Sequence, residues 1–237
     1  MSESVERDFP GGMRARVLAH RAPMHDFATW EREPREWMAE NLRPGMVVLD
    51  IGAEEGETSV LAAKRVGPGN VHVMEAAQWY WPNIRACWGA NFGGVMPGGV
   101  WPGFVADAAR AEGTVALNAW PECAYGPIRL DGAFVVHHER PEIPTTTVDR
   151  YCRQMGISPD VVMMDVEGCE HRVLMGSEEQ MRRGVRFLAS IHAEATLAYY
   201  GTSEAAILRW LAERGYGWRL ISRDHETHLL LAPEATL

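Results

Sequence analysis

Short apolar runs that end in an acid recur along this chain, separated by stretches of helical periodicity. Met46-Val47-Val48-Leu49-Asp50-Ile51 is the first, an unbroken run of the kind a strand buried on both faces requires. Val71-His72-Val73-Met74-Glu75 and Asp160-Val161-Val162-Met163-Met164-Asp165 repeat the pattern. Gly99 to Asp107 holds a weaker strand, and Val185 to His192 another. Between them the spacing predicts helices over about Glu57–Val66, Pro82–Phe92 and Val148–Met155. Ser177-x-x-Gln180 resembles a capping box opening a short helix, and Thr202 is placed to cap one running to about Arg214. Gly217–Ser222 and Thr227–Ala232, joined by the polar turn Arg223-Asp224-His225-Glu226, read as a closing hairpin.

Two segments break the alternation. The first 45 residues are polar with helix-like stretches, and Glu33–Leu42 forms an amphipathic helix with Trp37, Met38 and Leu42 inward, ended by Arg43-Pro44-Gly45. From about Ala108 to Pro144 helical periodicity disappears, and short β-like pieces (Thr114–Leu117, Ala133–His137) suggest an inserted hairpin or antiparallel flap. The expected architecture is α/β, a doubly wound, mostly parallel sheet with an antiparallel C-terminal hairpin. Residues 1–237 are expected to form a single domain, an N-terminal helical cap over 1–45 and a core over 46–237 carrying the flap at about 108–144.

Composition narrows the function. At 237 residues, 46% hydrophobic and 23% charged, the chain is long enough to bury a core without staples. A net charge of −9 argues against a general binder of nucleic acid or of anionic membrane. No run of ~18 apolar residues suggests a membrane span, and the polar start Met1-Ser2-Glu3-Ser4-Val5-Glu6 does not read as a signal peptide. The four cysteines, Cys87, Cys123, Cys152 and Cys169, make no C-x-x-C pair. Free thiols fit a reducing compartment, so a cytoplasmic location is expected.

Ligands of such sheets bind at the carboxyl ends of the strands, so Asp50, Glu75 and Asp165 are expected at one crevice. The first loop, Asp50-Ile51-Gly52-Ala53-Glu54-Glu55-Gly56-Glu57-Thr58-Ser59, follows a strand and opens a helix but is not G-x-G-x-x-G. Glu54, Glu55 and Glu57 crowd the helix start, where a pyrophosphate would be repelled. A cationic cofactor without phosphate is accommodated, and S-adenosyl-L-methionine has that description. Asp50 faces its cationic end, Gly52 admits the backbone, and Glu75 is placed for the ribose hydroxyls. Ala53, Glu54, Gly56, Ser59 and Ala76 complete that set. The alternative is a D-x-G helix cap and a solvated strand-end acid. Asp107 is either a partner for the adenine amino group or a turn residue.

Three stretches make the chain resemble the FkbM-type S-adenosylmethionine-dependent methyltransferases. They are Val48-Leu49-Asp50-Ile51-Gly52-Ala53-x-x-Gly56-x-Thr58-Ser59, Val71-His72-Val73-Met74-Glu75, and a third of greater specificity. The third joins Thr146-Thr147-Val148-Asp149 to Asp165-Val166-Glu167-Gly168-Cys169-Glu170 and Val173-Leu174-Met175-Gly176, on the family's T-x-D, D-x-E-G-x-E and L-x-G pattern. The likeness covers roughly residues 46–193, with the 108–144 insert poorly matched. It implies a Rossmann-like class I methyltransferase fold acting on hydroxyl groups of sugars or secondary metabolites. The chain departs from the family at Met163, where Lys is usual, and at Ser190, where Glu is frequent.

At the presumed reaction site, Asp165 either orients the methionine end of the cofactor or takes a proton from the acceptor, against the plainer role of helix cap. Glu167 is a candidate for cofactor or substrate contact, while Glu170 complements a helix dipole. His192 is the candidate general base, since an unperturbed imidazole titrates near neutrality; a hydrogen-bonded strand-end histidine is the alternative. His171 reads as a surface residue, and His137-His138-Glu139 as flap residues at the substrate or plain strand surface. No metal-ligand spacing is present, so no obligate metal is expected. Trp81 and Trp88, seven apart, share a helix face, whereas Trp79, Tyr80, Trp101 and Trp120 are candidates for stacking on flat groups. The functional expectation is O-methylation of a small-molecule or glycan acceptor, without nucleic-acid or membrane partners. The alternatives are a non-catalytic S-adenosylmethionine-binding module and an NAD-dependent oxidoreductase.

Overall fold

In the computed structural model, residues 3–109, 116–121 and 143–237 are described, and they divide into two units. Most of the expected 108–144 flap, with His137, His138, Glu139 and Cys123, lies outside the described residues.

The first unit holds Met1–Pro102 together with Val115–Ile128. It opens on an antiparallel hairpin of β1 (Ser4–Phe9) and β2 (Met13–Leu18), which corrects the expectation of a helical cap over 1–45. The reason is the period of two in Met13-Arg14-Ala15-Arg16-Val17: Met13, Ala15 and Val17 are buried and the arginines face water. Helix α1 (Arg32–Asn41) follows as expected, with Trp37, Met38 and Leu42 buried. Then come β3 (Val48–Ile51), α2 (Glu57–Val66), β4 (Val71–Met74), α3 (Trp81–Phe92) and β5 (Gly99–Trp101). The three strands run parallel with β4 central. Every residue of β3, β4 and β5 is buried, which is why these strands read as unbroken apolar runs. Trp81 and Trp88 are both 1% exposed on α3; their indole N–H groups donate to the carbonyls of Glu75 and Val95. Trp120 meets Trp88 edge-on, and half-exposed Trp79 lies against Tyr80.

The second unit holds Gly103–Thr114 and Arg129–Leu237. The short β6 (Phe104–Val105) and β7 (Thr145–Thr146) pair in parallel. Gly103 lets this pair close, since a Cβ there would sit 2.1 Å from the Pro144 carbonyl oxygen. Next are α4 (Val148–Met155), β8 (Val161–Met164), α5 (Glu170–Met175), α6 (Glu178–Arg182), β9 (Arg186–Ile191), α7 (Glu194–Tyr199), α8 (Glu204–Ala212), β10 (Tyr216–Arg223) and β11 (Thr227–Pro233). β8 and β9 are parallel, while β11 runs antiparallel to β9 on one side and to β10 on the other. The fold is thus α/β with parallel strands between helices and the expected antiparallel hairpin at the end.

Two expected caps are replaced. The Ser177 hydroxyl donates to the Val173 carbonyl instead of capping α6; the Asp149 carboxylate accepts from the N–H groups of Glu179 and Gln180 in its place. Ser203, not Thr202, caps α8 by accepting from Ala206 N–H, and the Thr202 hydroxyl faces His171 Nδ1 at 3.0 Å. Among the described residues no helix is long and apolar enough to cross a membrane, and Cys87, Cys152 and Cys169 are free and buried.

Candidate functional site

In the first unit the loop after β3 folds onto the end of β4. The N–H groups of Gly52 and Ala53 donate to the Met74 carbonyl, and Glu54 N–H donates to Glu75 Oε2 at 2.9 Å. Ala77 N–H donates to Glu75 Oε1 at 2.7 Å. Gly52 and Gly56 take positive φ (87° and 91°), and a Cβ at Gly56 would press on Ile84 at 3.3 Å. The Glu75 carboxylate is thereby fixed at the strand end in a buried place. Burial, outweighing its two backbone donors, pushes it up to about 7. Asp50, also buried, accepts from the Ser59 hydroxyl; burial lifts it to about 6 against that hydrogen bond. Ser59 is fully buried with its hydroxyl turned to Asp50, so it holds Asp50 in place and does not itself reach outward.

The acidic side chains of this loop have partners within the chain. Arg21, 3% exposed, donates through Nε to Glu57 Oε1 (2.9 Å) and through both Nη atoms to Glu54 (3.1 and 2.8 Å). Glu55 faces His20 Nε2 at 2.7 Å and Arg21 at 3.8 Å. The three acids thus fasten the segment after β2 to the start of α2. Glu54 contributes its backbone, not its side chain, to the Glu75 end. A phosphate is still ill-served, for another reason: the N–H groups of Gly52, Ala53 and Glu54 are already donated.

In the second unit the strand-end residues gather around one imidazole. His192 follows β9 and is 8% exposed. Its Nδ1 lies 2.6 Å from Glu170 Oε1, and the same oxygen accepts from Gly168 N–H at 3.0 Å. Its Nε2 lies 3.1 Å from Glu226 Oε1, 3.3 Å from Glu167 Oε2 and 3.7 Å from Asp165 Oδ1. One donor atom each from Asp165, His192 and Glu226 falls within 4.8 Å of the others. Burial alone would depress the imidazole, but Glu167, Glu170 and Glu226 outweigh it and hold the ring protonated well above its ordinary range. Glu226 moves the opposite way: burial raises it, and His192 more than reverses that. The imidazole read as a candidate general base is thus faced by carboxylates at both ring nitrogens.

Glu170 is no helix-dipole residue. It is fully buried and orients His192. The spacing of D-x-E-G-x-E carried that signal. Glu226, read as a turn residue, had none. Glu167 (φ 52°) and Gly168 (φ 96°) are both left-handed, and a Cβ on Gly168 would meet Thr196 and the Tyr200 ring at 2.8–2.9 Å. The turn therefore fixes Glu167 beside His192 at some conformational cost. Asp107 pairs through Oδ1 with Arg172 (Nε 2.8 Å, Nη2 2.7 Å). Met163 is buried within β8. Ser190 meets His228 Nδ1 at 3.0 Å across the β9–β11 pairing.

The Methyltransferase FkbM domain matches residues 98–217, just over half of the chain. The chain belongs to the FkbM methyltransferase family. The match takes in the T-x-D, D-x-E-G-x-E and L-x-G stretches, and the structure separates their roles. Thr147 caps α4 through Arg150 N–H, Asp149 caps α6, and Gly176 lets the backbone pass the Ala106 carbonyl, where a Cβ would sit at 2.1 Å. Only the middle stretch supplies the side chains around His192.

Among solved structures, one similar to the chain is a putative SAM-dependent methyltransferase from Streptococcus mutans, with a TM-score of 0.52 at 11% identity over 98% of this chain and 55% of that one. Another is the M. jannaschii tRNA m1G37 methyltransferase, with 0.50 at 10% over 98% and 54%. The methyltransferase FkbM from Methylobacillus flagellatus KT gives 0.49 at 17% over 84% and 50%. The chain spans about half the length of these three structures. No curated protein matches the sequence. The fold is that of the Rossmann-like class I methyltransferases, and family and fold together support a methyltransferase.

Proposed function

We propose that the chain is an S-adenosyl-L-methionine-dependent O-methyltransferase whose acceptor is a hydroxyl on a sugar or small metabolite. The observation that carries this reading is the cluster of carboxylates around His192 at the ends of β8 and β9, an arrangement suited to removing a hydroxyl proton. The first unit fits the cofactor. Glu75 offers a fixed, buried carboxylate to a diol, and the loop's spent N–H groups disfavour a phosphate. Asp50, Gly52, Ala53, Glu54 through its backbone, Gly56, Glu75 and Ala76 would hold it. Bound there, it supplies an electrophilic methyl group on a sulfonium.

The protein's own work is to align the acceptor and manage one proton. Glu167, with its side chain 65% exposed beside His192, takes the hydroxyl proton. His192 stands between the carboxylates and keeps them in place. Asp165, 45% exposed, meets the acceptor as a hydrogen-bond acceptor.

The test is calorimetric titration with S-adenosylhomocysteine and with NAD, followed by radiolabelled methyl transfer to a panel of hydroxylated sugars and metabolites. Homocysteine-product binding, weakened by Glu75→Ala, and transfer to at least one acceptor are expected. Heat from NAD alone overturns the reading in favour of an oxidoreductase; binding without transfer to any acceptor leaves a non-catalytic module.

A further inference from the structure

We infer that Asp165, His192 and Glu226 form a site for a divalent cation of the magnesium or manganese type, which holds the acceptor hydroxyl. The inference rests on the O-methyltransferase reading for its purpose, though not for its geometry.

The donors come from three places in the second unit: the end of β8, the end of β9 and the turn between β10 and β11. No local spacing could reveal them, which is why the sequence carried no metal motif. His192 Nε2 stands 3.1 Å from Glu226 Oε1 and 3.7 Å from Asp165 Oδ1. Neighbouring ligands of an octahedral ion bound at ~2.1 Å stand about 3 Å apart, and opposite ones about 4.2 Å. The observed spacings lie in that range, so small side-chain shifts close the shell, and the ion takes the place of the proton on His192 Nε2, which is released to solvent.

A second observation singles out a ligand there. His192 is more than nine-tenths buried, and its Nε2 is aligned for a hydrogen bond with none of the three carboxylates it faces. Glu226 Oε2 is likewise buried without a hydrogen-bond partner. The other ring nitrogen faces fully buried Glu170 at 2.6 Å, which fixes the ring and presents Nε2 to the cluster. A carboxylate behind a histidine is the support that metal-ligating imidazoles ordinarily have. Two carboxylates and one imidazole favour a hard or borderline ion that keeps open positions, which points to magnesium or manganese.

Three protein ligands leave about three positions on an octahedral ion. A hydroxyl and a neighbouring oxygen of the acceptor can fill two of them, so the site selects acceptors with adjacent oxygens, such as vicinal diols. An oxygen held by a dication loses its proton at lower pH, and Glu167, outside the ligand set, receives it.

The experiment is manganese binding to the full chain after chelator treatment, followed by electron paramagnetic resonance and by thermal melting. One site of micromolar affinity is expected, with a melting temperature raised by saturating manganese. Asp165→Asn and Glu226→Gln should each weaken binding at least tenfold, while Glu75→Ala leaves it unchanged. Folded variants are recognised by cooperative melting curves, and the wild-type titration needs no variant at all. No saturable manganese site in the wild-type chain overturns the inference, as does undiminished binding in both ligand variants. The function reading fails separately: manganese binding without any S-adenosylhomocysteine binding sinks that reading, and the reverse result sinks only the cation site.

Discussion

Replacing Glu75 by Gln should stabilise the ligand-free protein at pH 8 while weakening its cofactor binding. The carboxyl titrates near its ordinary 4.5 in the unfolded chain and at about 7 when buried at the end of β4. Between those values the folded state holds a proton that the unfolded state has released. Stability from this group is therefore complete below pH 4.5 and is lost as pH rises towards 7. At 1.36 kcal/mol per unit the loss is about 3 kcal/mol at pH 8. Gln removes that loss but has one acceptor oxygen where two N–H groups, those of Glu54 and Ala77, now donate, which costs about 1 kcal/mol. The net gain is about 2 kcal/mol, or roughly 1 M in urea midpoint at a slope of about 2 kcal/mol/M. Urea unfolding at pH 4.5, 6 and 8 without added cofactor measures it. The difference between the two proteins should grow across that range. Equal midpoints at pH 8, or a difference that does not vary with pH, would refute the reasoning that Glu75 is held at a cost in its charged form.

Three further outcomes are expected. Arg21→Met should cost about 3–5 kcal/mol by leaving Glu57, itself 3% exposed, without its partner, and the double variant with Glu57→Met should recover most of the loss in urea unfolding. Asp149→Ala should cost about 1–2 kcal/mol and raise amide exchange at Glu179 and Gln180 selectively, since both N–H groups lose their acceptor. Gly168→Ala should cost about 3 kcal/mol or more, because φ 96° and the Tyr200 ring both resist a Cβ; a thermal melt within a degree of wild type contradicts the packing seen there.

The parallel strands and the helices between them were legible because burial on both faces forces unbroken apolar runs, and glycine and proline punctuate them. Helices α2 and α4 lie where the periodicity places them, with Gly67 and Gly156 just past their ends. The β1–β2 hairpin was missed because its alternation is only six residues a side and arginine-rich on its exposed face. Site residues were legible where a strand end located them, as with Glu75, Asp165 and His192. Their chemistry was not. Arg21 reaches Glu57 across 36 positions and Glu170 reaches His192 across 22, so the charges that decide each group's state come from distant parts of the sequence. That is why the sequence did not show that the acids of the first loop anchor the segment after β2, or that His192 sits among carboxylates.

Strand β11 is synthesised after both β9 and β10, yet it lies between them and is buried along almost its whole length. During translation β9 must therefore wait with one edge open until β11 arrives. The hairpin is local and can form by itself, so it docks most simply as a finished pair, bringing Glu226 to His192 in the same motion. A ribosome that stalls before Thr227 leaves a nascent chain with an unpaired β9 edge, open to other chains. Quality control that senses such edges would then, in effect, be inspecting whether the His192 cluster has been completed.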